Sequence, residues 1–167
     1  MRIPIILLML FVVFGTSHAA SPELYKFHAS SPKDQRMLDA FHDQLIGALT
    51  SKDISILNQC FYWGDTPEAV RDMTIREIEE ILEGNDFLSV YIFSSDDKRL
   101  NQGWVQSVSS SKLMNGHKYD LNLKYQWLCT VAFKPISAPT CPLIHKLYPI
   151  GVSPDGEGKI PVMHRIQ

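Results

Sequence analysis

The chain has 167 residues, nine glycines, ten prolines and three cysteines, with 16 basic and 18 acidic side chains and a formal net charge of −2. Its charges are scattered, with no basic stripe, which excludes nucleic-acid binding that works by neutralising phosphates. It has no Gly-x-Gly phosphate loop before a helix, no Gly-x-Ser-x-Gly, and no Cys-x-x-Cys or His-x-His pair, so no cofactor or metal is expected.

Met1–Ala19 carries the three parts of a secretory signal: Arg2 at the start, an apolar run from Ile3 to Phe14, and small residues Ser17 and Ala19 at the cleavage region. The apolar run is shorter than the ~20 residues that span a bilayer. The expectation is a secreted, extracellular protein, free of the membrane after cleavage. Without Arg2 the mature chain holds 15 basic and 18 acidic residues, a net charge of −3. It contains no Asn-x-Ser/Thr acceptor for N-glycosylation. Residues 20–30 read as a polar lead-in, 31–150 as a single domain, and 151–167 as an irregular Gly/Pro-rich tail.

Ser31-Pro32-Lys33-Asp34 is a helix start, with Ser31 as the cap and Pro32 at the first helical position. Met37, Leu38, Phe41, Leu45, Ala48 and Leu49 then form one apolar stripe. Thr50–Asp53 breaks this helix and opens a shorter one with Ile54, Leu57 and Phe61 inward. A short strand or irregular hairpin fits between residues 61 and 73. Thr74 and Glu77 match a capping box for a third helix with Ile75, Ile78, Ile81 and Leu82 inward.

From Phe87 the period becomes two. Leu88, Val90 and Ile92 alternate, and Leu121, Leu123, Tyr125, Trp127, Cys129, Val131 and Phe133 alternate strictly. Asn115-Gly116 predicts a type I′ hairpin. Met114 then faces His117, and the same register places Trp104 opposite Trp127, Gln106 opposite Tyr125, and Val108 opposite Leu123. A last strand is expected from Pro142 to Ile150. The fold class is α+β: three N-terminal helices packed on a curved antiparallel sheet.

This order of segments, the aromatic stretch Phe61-Tyr62-Trp63-Gly64-Asp65 between the second and third helices, and the long strand ending at Phe133 resemble the nuclear transport factor 2-like superfamily, the cystatin-like α+β cone. The resemblance covers residues 31–150. It implies a sheet curled around the first helix with a pocket at the wide end. Family members include isomerases, dehydratases, binding adaptors and dimers, and fold does not choose among them. Gln106-Ser107-Val108-Ser109-Ser110 is also similar to the inhibitory hairpin of cystatins, but the final Gly is missing and three helices are read where cystatins have one.

Candidate chemistry is sparse. His28, His42, His117, His145 and His164 are isolated and suit solvent or core. No Asp, Glu or His falls on the expected covered face from Trp104 to Val108 or from Leu121 to Phe133, so no catalytic residue is assigned. Asp65, His42 and Asp43 are the acids and base that could still point inward. Gln106 stands out on an apolar face beside Trp104, opposite Tyr125 and near Trp127. These four could wall a ligand pocket with a polar handle; the plainer reading is a Gln–Tyr hydrogen bond in a packed core. The expected activity is non-catalytic binding of a small apolar ligand or a protein partner, with an isomerase- or dehydratase-like enzyme as the alternative. Leu128 and Ala132, on the face expected to be wet, would suit a homodimer. Cys60, Cys129 and Cys141 allow one disulfide with one thiol left over: Cys60 with Cys129, or Cys129 with Cys141 through a tight hairpin around Pro135.

Overall fold

The computed structural model describes residues 29–97, 112–114, 117–138 and 140–166. The chain runs α1 (Pro32–Ser51), α2 (Ile54–Gln59), β1 (Phe61–Tyr62), α3 (Glu68–Gly84), β2 (Asn85–Ser94), β3 (Lys112–Met114), β4 (His117–Leu121), β5 (Tyr125–Pro135), β6 (Ile144–Val152), β7 (Gly158–Pro161) and β8 (Met163–Ile166). The fold is α+β, as expected. The three helices are not all N-terminal: β1 separates α2 from α3, and α3 reaches Gly84 in the middle of the chain. No described helix is long and apolar enough to cross a membrane.

α1 forms for the reasons its sequence states. The Ser31 hydroxyl accepts a hydrogen bond from the Asp34 amide at 3.1 Å, and Pro32 opens the first turn. The stripe Leu38, Phe41, Leu45, Ala48 and Leu49 is buried. Lys52, at φ 53°, ends the helix, its backbone amide donating to the Ala48 carbonyl. In α2 the Asp53 carboxylate caps the amides of Ser55 and Ile56, and Leu57 is buried.

α3 starts six residues before the expected capping box. Glu68 to Met73 supplies good helix formers behind Pro67, and the amides of Val70 and Arg71 donate to the Pro67 carbonyl. Thr74 therefore sits inside the helix, buried, its hydroxyl donating to the Val70 carbonyl at 2.8 Å. The apolar face is as read: Ile78 and Leu82 are buried, with Ile81 packed beside them.

The larger sheet has the order β1-β7-β6-β5-β2, and the smaller one β3-β4-β8. The larger sheet is open and mixed rather than antiparallel throughout, because β1 pairs β7 in parallel. Inward residues align in cross-strand rows: Phe87–Phe133–Ile144, Val90–Val131–Lys146, Ile92–Cys129–Tyr148 and Ser94–Trp127–Ile150. The Phe87 and Phe133 rings meet edge to face at 6.4 Å between centroids. Leu88 is not in this series. A bulge between Phe87 and Ser89 carries it off the inward face and leaves it 47% exposed.

Two further expectations are corrected. The long alternating strand does not begin at Leu121: β4 ends there, the chain bends through residues 122–124, and β5 starts at Tyr125 in the other sheet. The bend is held by the Asn122 side chain. Its amide nitrogen donates to the carbonyls of Tyr62 and Trp63 at 2.7 and 3.1 Å, and its carbonyl oxygen accepts from the Val162 amide at 2.9 Å. The tail from Gly151 is not irregular either. It completes β6 and supplies β7, which lies between β6 and β1, and β8, which joins β4.

β7 comes within reach of α1 because Gly158 has no side chain. A Cβ there would stand 2.7 Å from the Met37 sulfur and 3.1 Å from the Phe41 Cβ. Gly158→Ala is predicted to destabilise the fold by about 1–3 kcal/mol through overpacking, measured by urea denaturation. Unchanged stability would show that α1 and β7 are not in such close contact.

Candidate functional site

Of the four expected pocket residues, two are described. Trp104 and Gln106 lie outside the described residues. Trp127 is buried and Tyr125 is half-buried at the start of β5. The Asn115-Gly116 hairpin does give the expected register: Met114 pairs with His117, Leu113 with Lys118, and Lys112 with Tyr119. That register cannot be carried on to β5, because the chain changes sheets at Leu121. The ladder positions on both sides of Trp127 are filled by Ser94 and Ile150. Tyr125 pairs with Gly151. A Cβ on Gly151 would come within 2.4 Å of the Lys124 carbonyl oxygen, so a glycine is required where the bend lies over β6.

The other candidates point away from the interior. Asp65 is exposed in the turn after Trp63. His42 is half-exposed on α1, 3.6 Å from the exposed Asp43 carboxylate. Among the described residues, no group of three His, Cys, Asp or Glu side chains is placed to hold a metal. Leu128 and Ala132, expected on a wet outer face, are buried at 0% and 2% exposure and offer no free dimer surface. Leu128 sits between Phe93 and Pro149 across the strands, so that face is apolar too.

The interior does contain ionisable groups, on elements where the sequence reading did not look. Lys146, 3% exposed, occupies the inward row of β6 beside Val131. It interrupts the run Ile144, Tyr148, Ile150 at the period of two, and that interruption was the signal available in the sequence. Glu77 is half-buried on α3 and one of its carboxylate oxygens, Oε2, is buried without a hydrogen-bond partner. Assigning Glu77 to a capping box at Thr74 concealed this position. Burial raises the Glu77 pKa, opposed by the Lys146 charge and reinforced by Glu80. Burial lowers the Lys146 pKa, opposed by Glu77. Tyr148, two residues along the same face, is driven far above the ordinary phenol range by burial, then by Cys129 and Glu77, and stays protonated.

Beside this cluster lies a cavity of about 20 Å³, walled by α1 (Leu45, Leu49), α3 (Ile78) and the sheet (Val131, Tyr148). That volume holds about one water molecule. Cys60 and Cys129 are both fully buried around the same region and Cys141 is exposed; all three are thiols. Burial pushes the Cys60 pKa up to about 11 and that of Cys129 higher still. Cys129 pairs with Tyr148 and not with the 135–143 connection. The last pair before that connection, Phe133–Ile144, is already four residues from Cys129, about 13 Å at the usual strand rise. Cys141 is therefore out of reach of Cys129.

The edge of the helical layer is aromatic. Phe61 and Trp63 stack at 5.3 Å, the Arg71 guanidinium lies 5.2 Å from the centre of the Trp63 ring, and the indole N–H donates to the Asn58 carbonyl. These contacts set the turn into α3 and do not form a concave site.

The signs of the buried charges give a test. A raised Glu77 pKa contributes stability that is fully present below the ordinary carboxylate range and is lost as pH rises through the raised value. A lowered Lys146 pKa makes its charge costly below that value, and the cost fades as pH rises towards the ordinary lysine pKa. The double variant Glu77→Gln, Lys146→Met is predicted to equal or exceed the parent in stability at pH 7, with a flatter dependence on pH above 8. Lys146→Met alone should be less stable than the double variant by about 1–3 kcal/mol, because the carboxylate then lacks its counter-charge. Thermal unfolding across pH measures both.

Comparisons of this chain with protein-family models, with curated proteins and with solved structures find no match.

Proposed function

We propose that this chain is a secreted, non-catalytic binding domain of the nuclear transport factor 2-like cone type that takes a protein partner on its surface. The signal-like segment Met1–Ala19 supports export. Support for the cone reading comes from α1 lying along the inward face of the larger sheet, with α2 and α3 beside it. The observation that carries the binding reading is a set of exposed apolar side chains at one end of the larger sheet. The cavity walled by Leu45, Ile78 and Tyr148 is about 20 Å³, whereas a small-ligand chamber is several hundred cubic ångströms. That cavity is too small for a small apolar ligand.

Protein binding instead suits one end of the sheet. Leu88 on its bulge, Ile136 after β5 and Leu143 before β6 are 47%, 50% and 42% exposed, and the register brings all three to the end marked by Phe133 and Ile144. Clustered exposed apolar side chains of this kind are the usual mark of an interaction surface.

The second reading is an isomerase- or dehydratase-like enzyme. It is favoured by Glu77, Lys146 and Tyr148 in the interior, since acid–base chemistry needs ionisable groups with shifted pKa values. It requires a substrate space larger than the cavity of about 20 Å³ beside Tyr148.

Titration with a fluorescent apolar dye, 1-anilinonaphthalene-8-sulfonate, and with a medium-chain fatty acid separates the readings. Neither probe is predicted to bind saturably to the folded protein. Stoichiometric binding of either, abolished by Ile78→Trp in a folded variant, would restore an interior ligand site.

A further inference from the structure

We propose that Cys60 and Cys129 are an oxidisable pair that closes into a disulfide across the core, joining the end of α2 to the middle of β5, while Cys141 stays outside it. Both thiols are 0% exposed and belong to one apolar cluster. A small cavity in that cluster is walled by neighbours of both. Its lining includes Leu57 and Phe61, on either side of Cys60, and Val131 and Tyr148, the next inward residue after Cys129 and its cross-strand partner. Cys60 is also among the causes that raise the Cys129 pKa, after burial. The Cys60 thiol points back to the Ile56 carbonyl, 3.7 Å away. A single χ1 rotation releases that weak contact and swings the sulfur to another rotamer.

The chemistry balances with a small-molecule disulfide such as oxidised glutathione. Cys60, at the end of a short helix, reacts first as the thiolate, forming a mixed disulfide and releasing one glutathione thiolate. The Cys129 thiolate then attacks the Cys60 sulfur and releases the second. Two cysteine thiols are oxidised, one glutathione disulfide is reduced to two thiols, and the two cysteine protons pass to the released thiolates or to solvent. Burial raises both pKa values, so the exchange is slow in the folded protein and belongs to folding. Its use by the cell rests on the export reading, because only an oxidising compartment keeps such a bond; the chemistry itself does not.

The purified chain, refolded in a glutathione redox buffer and digested without reductant, tests this directly. Peptide mapping should find Cys60 linked to Cys129, with Cys141 open to alkylation, and Cys141→Ser should leave the link intact. Adding reductant should lower the melting temperature by about 10 °C, because the bond closes the long loop from 60 to 129. A link that contains Cys141, or both Cys60 and Cys129 recovered as free thiols from the refolded protein, would overturn the proposal. These readouts depend neither on secretion nor on any partner, so they fail separately from the binding reading.

Discussion

The pairing of Asn122 with Val162 holds the two sheets in one fold. Here the chain passes twice between sheets: from β4 to β5 at Asn122, and from β7 to β8 at Val162. The Asn122 backbone amide donates to the Val162 carbonyl at 3.0 Å, and the Val162 amide donates to the Asn122 side-chain oxygen at 2.9 Å. The remaining end of the same side chain reaches the carbonyls of Tyr62 and Trp63 and the Thr66 hydroxyl. One amide therefore satisfies backbone groups from two segments that would otherwise be left unpaired where the strands stop. With both crossings fixed, β7 fits between β6 and β1, and Gly158 can close on α1.

The helical half and the hairpin were legible because their signals are local. Ser31, Pro32 and the stripe from Met37 to Leu49 predict α1, and Asn115-Gly116 predicts the pairing of Met114 with His117. What could not be read depends on contacts distant in sequence. The alternation from Leu121 to Phe133 runs unbroken through the bend, because Asn122 occupies a polar position whether the strand is straight or turned. Only its bonds to Tyr62, Trp63 and Val162 distinguish the two. The Phe87–Ser89 bulge is equally silent in a period-two pattern. For the tail, Gly156 and Gly158 read as loop, yet one glycine turns at φ 83° and the other makes room beside α1. Of the expected site residues, Trp127 and Tyr125 pair with Ile150 and Gly151 of β6, while Trp104 and Gln106 lie outside the described residues.

The interior combines an apolar core with a few groups that resist burial. Buried charges such as Lys146, and Glu77 beside it, stabilise poorly compared with apolar residues of the same shape. Tyr148 and the two thiols are held neutral by the same desolvation. These groups share one cause, enclosure between α1, α3 and β5–β6, and the cavity among them is of water size. An interior of this kind is suited to holding a surface in place, which is why the binding reading looks outward to the end of the sheet.

The joint between the sheets is open to direct measurement by native-state hydrogen exchange. The Val162 and Asn122 amides are expected to exchange only through global unfolding, as slowly as amides in the centre of β5, and the Val162 amide should lose that protection in Asn122→Ala. Rapid exchange of both amides in the parent protein, with β5 still protected, would contradict the account, because the two sheets would then be joined without this clasp.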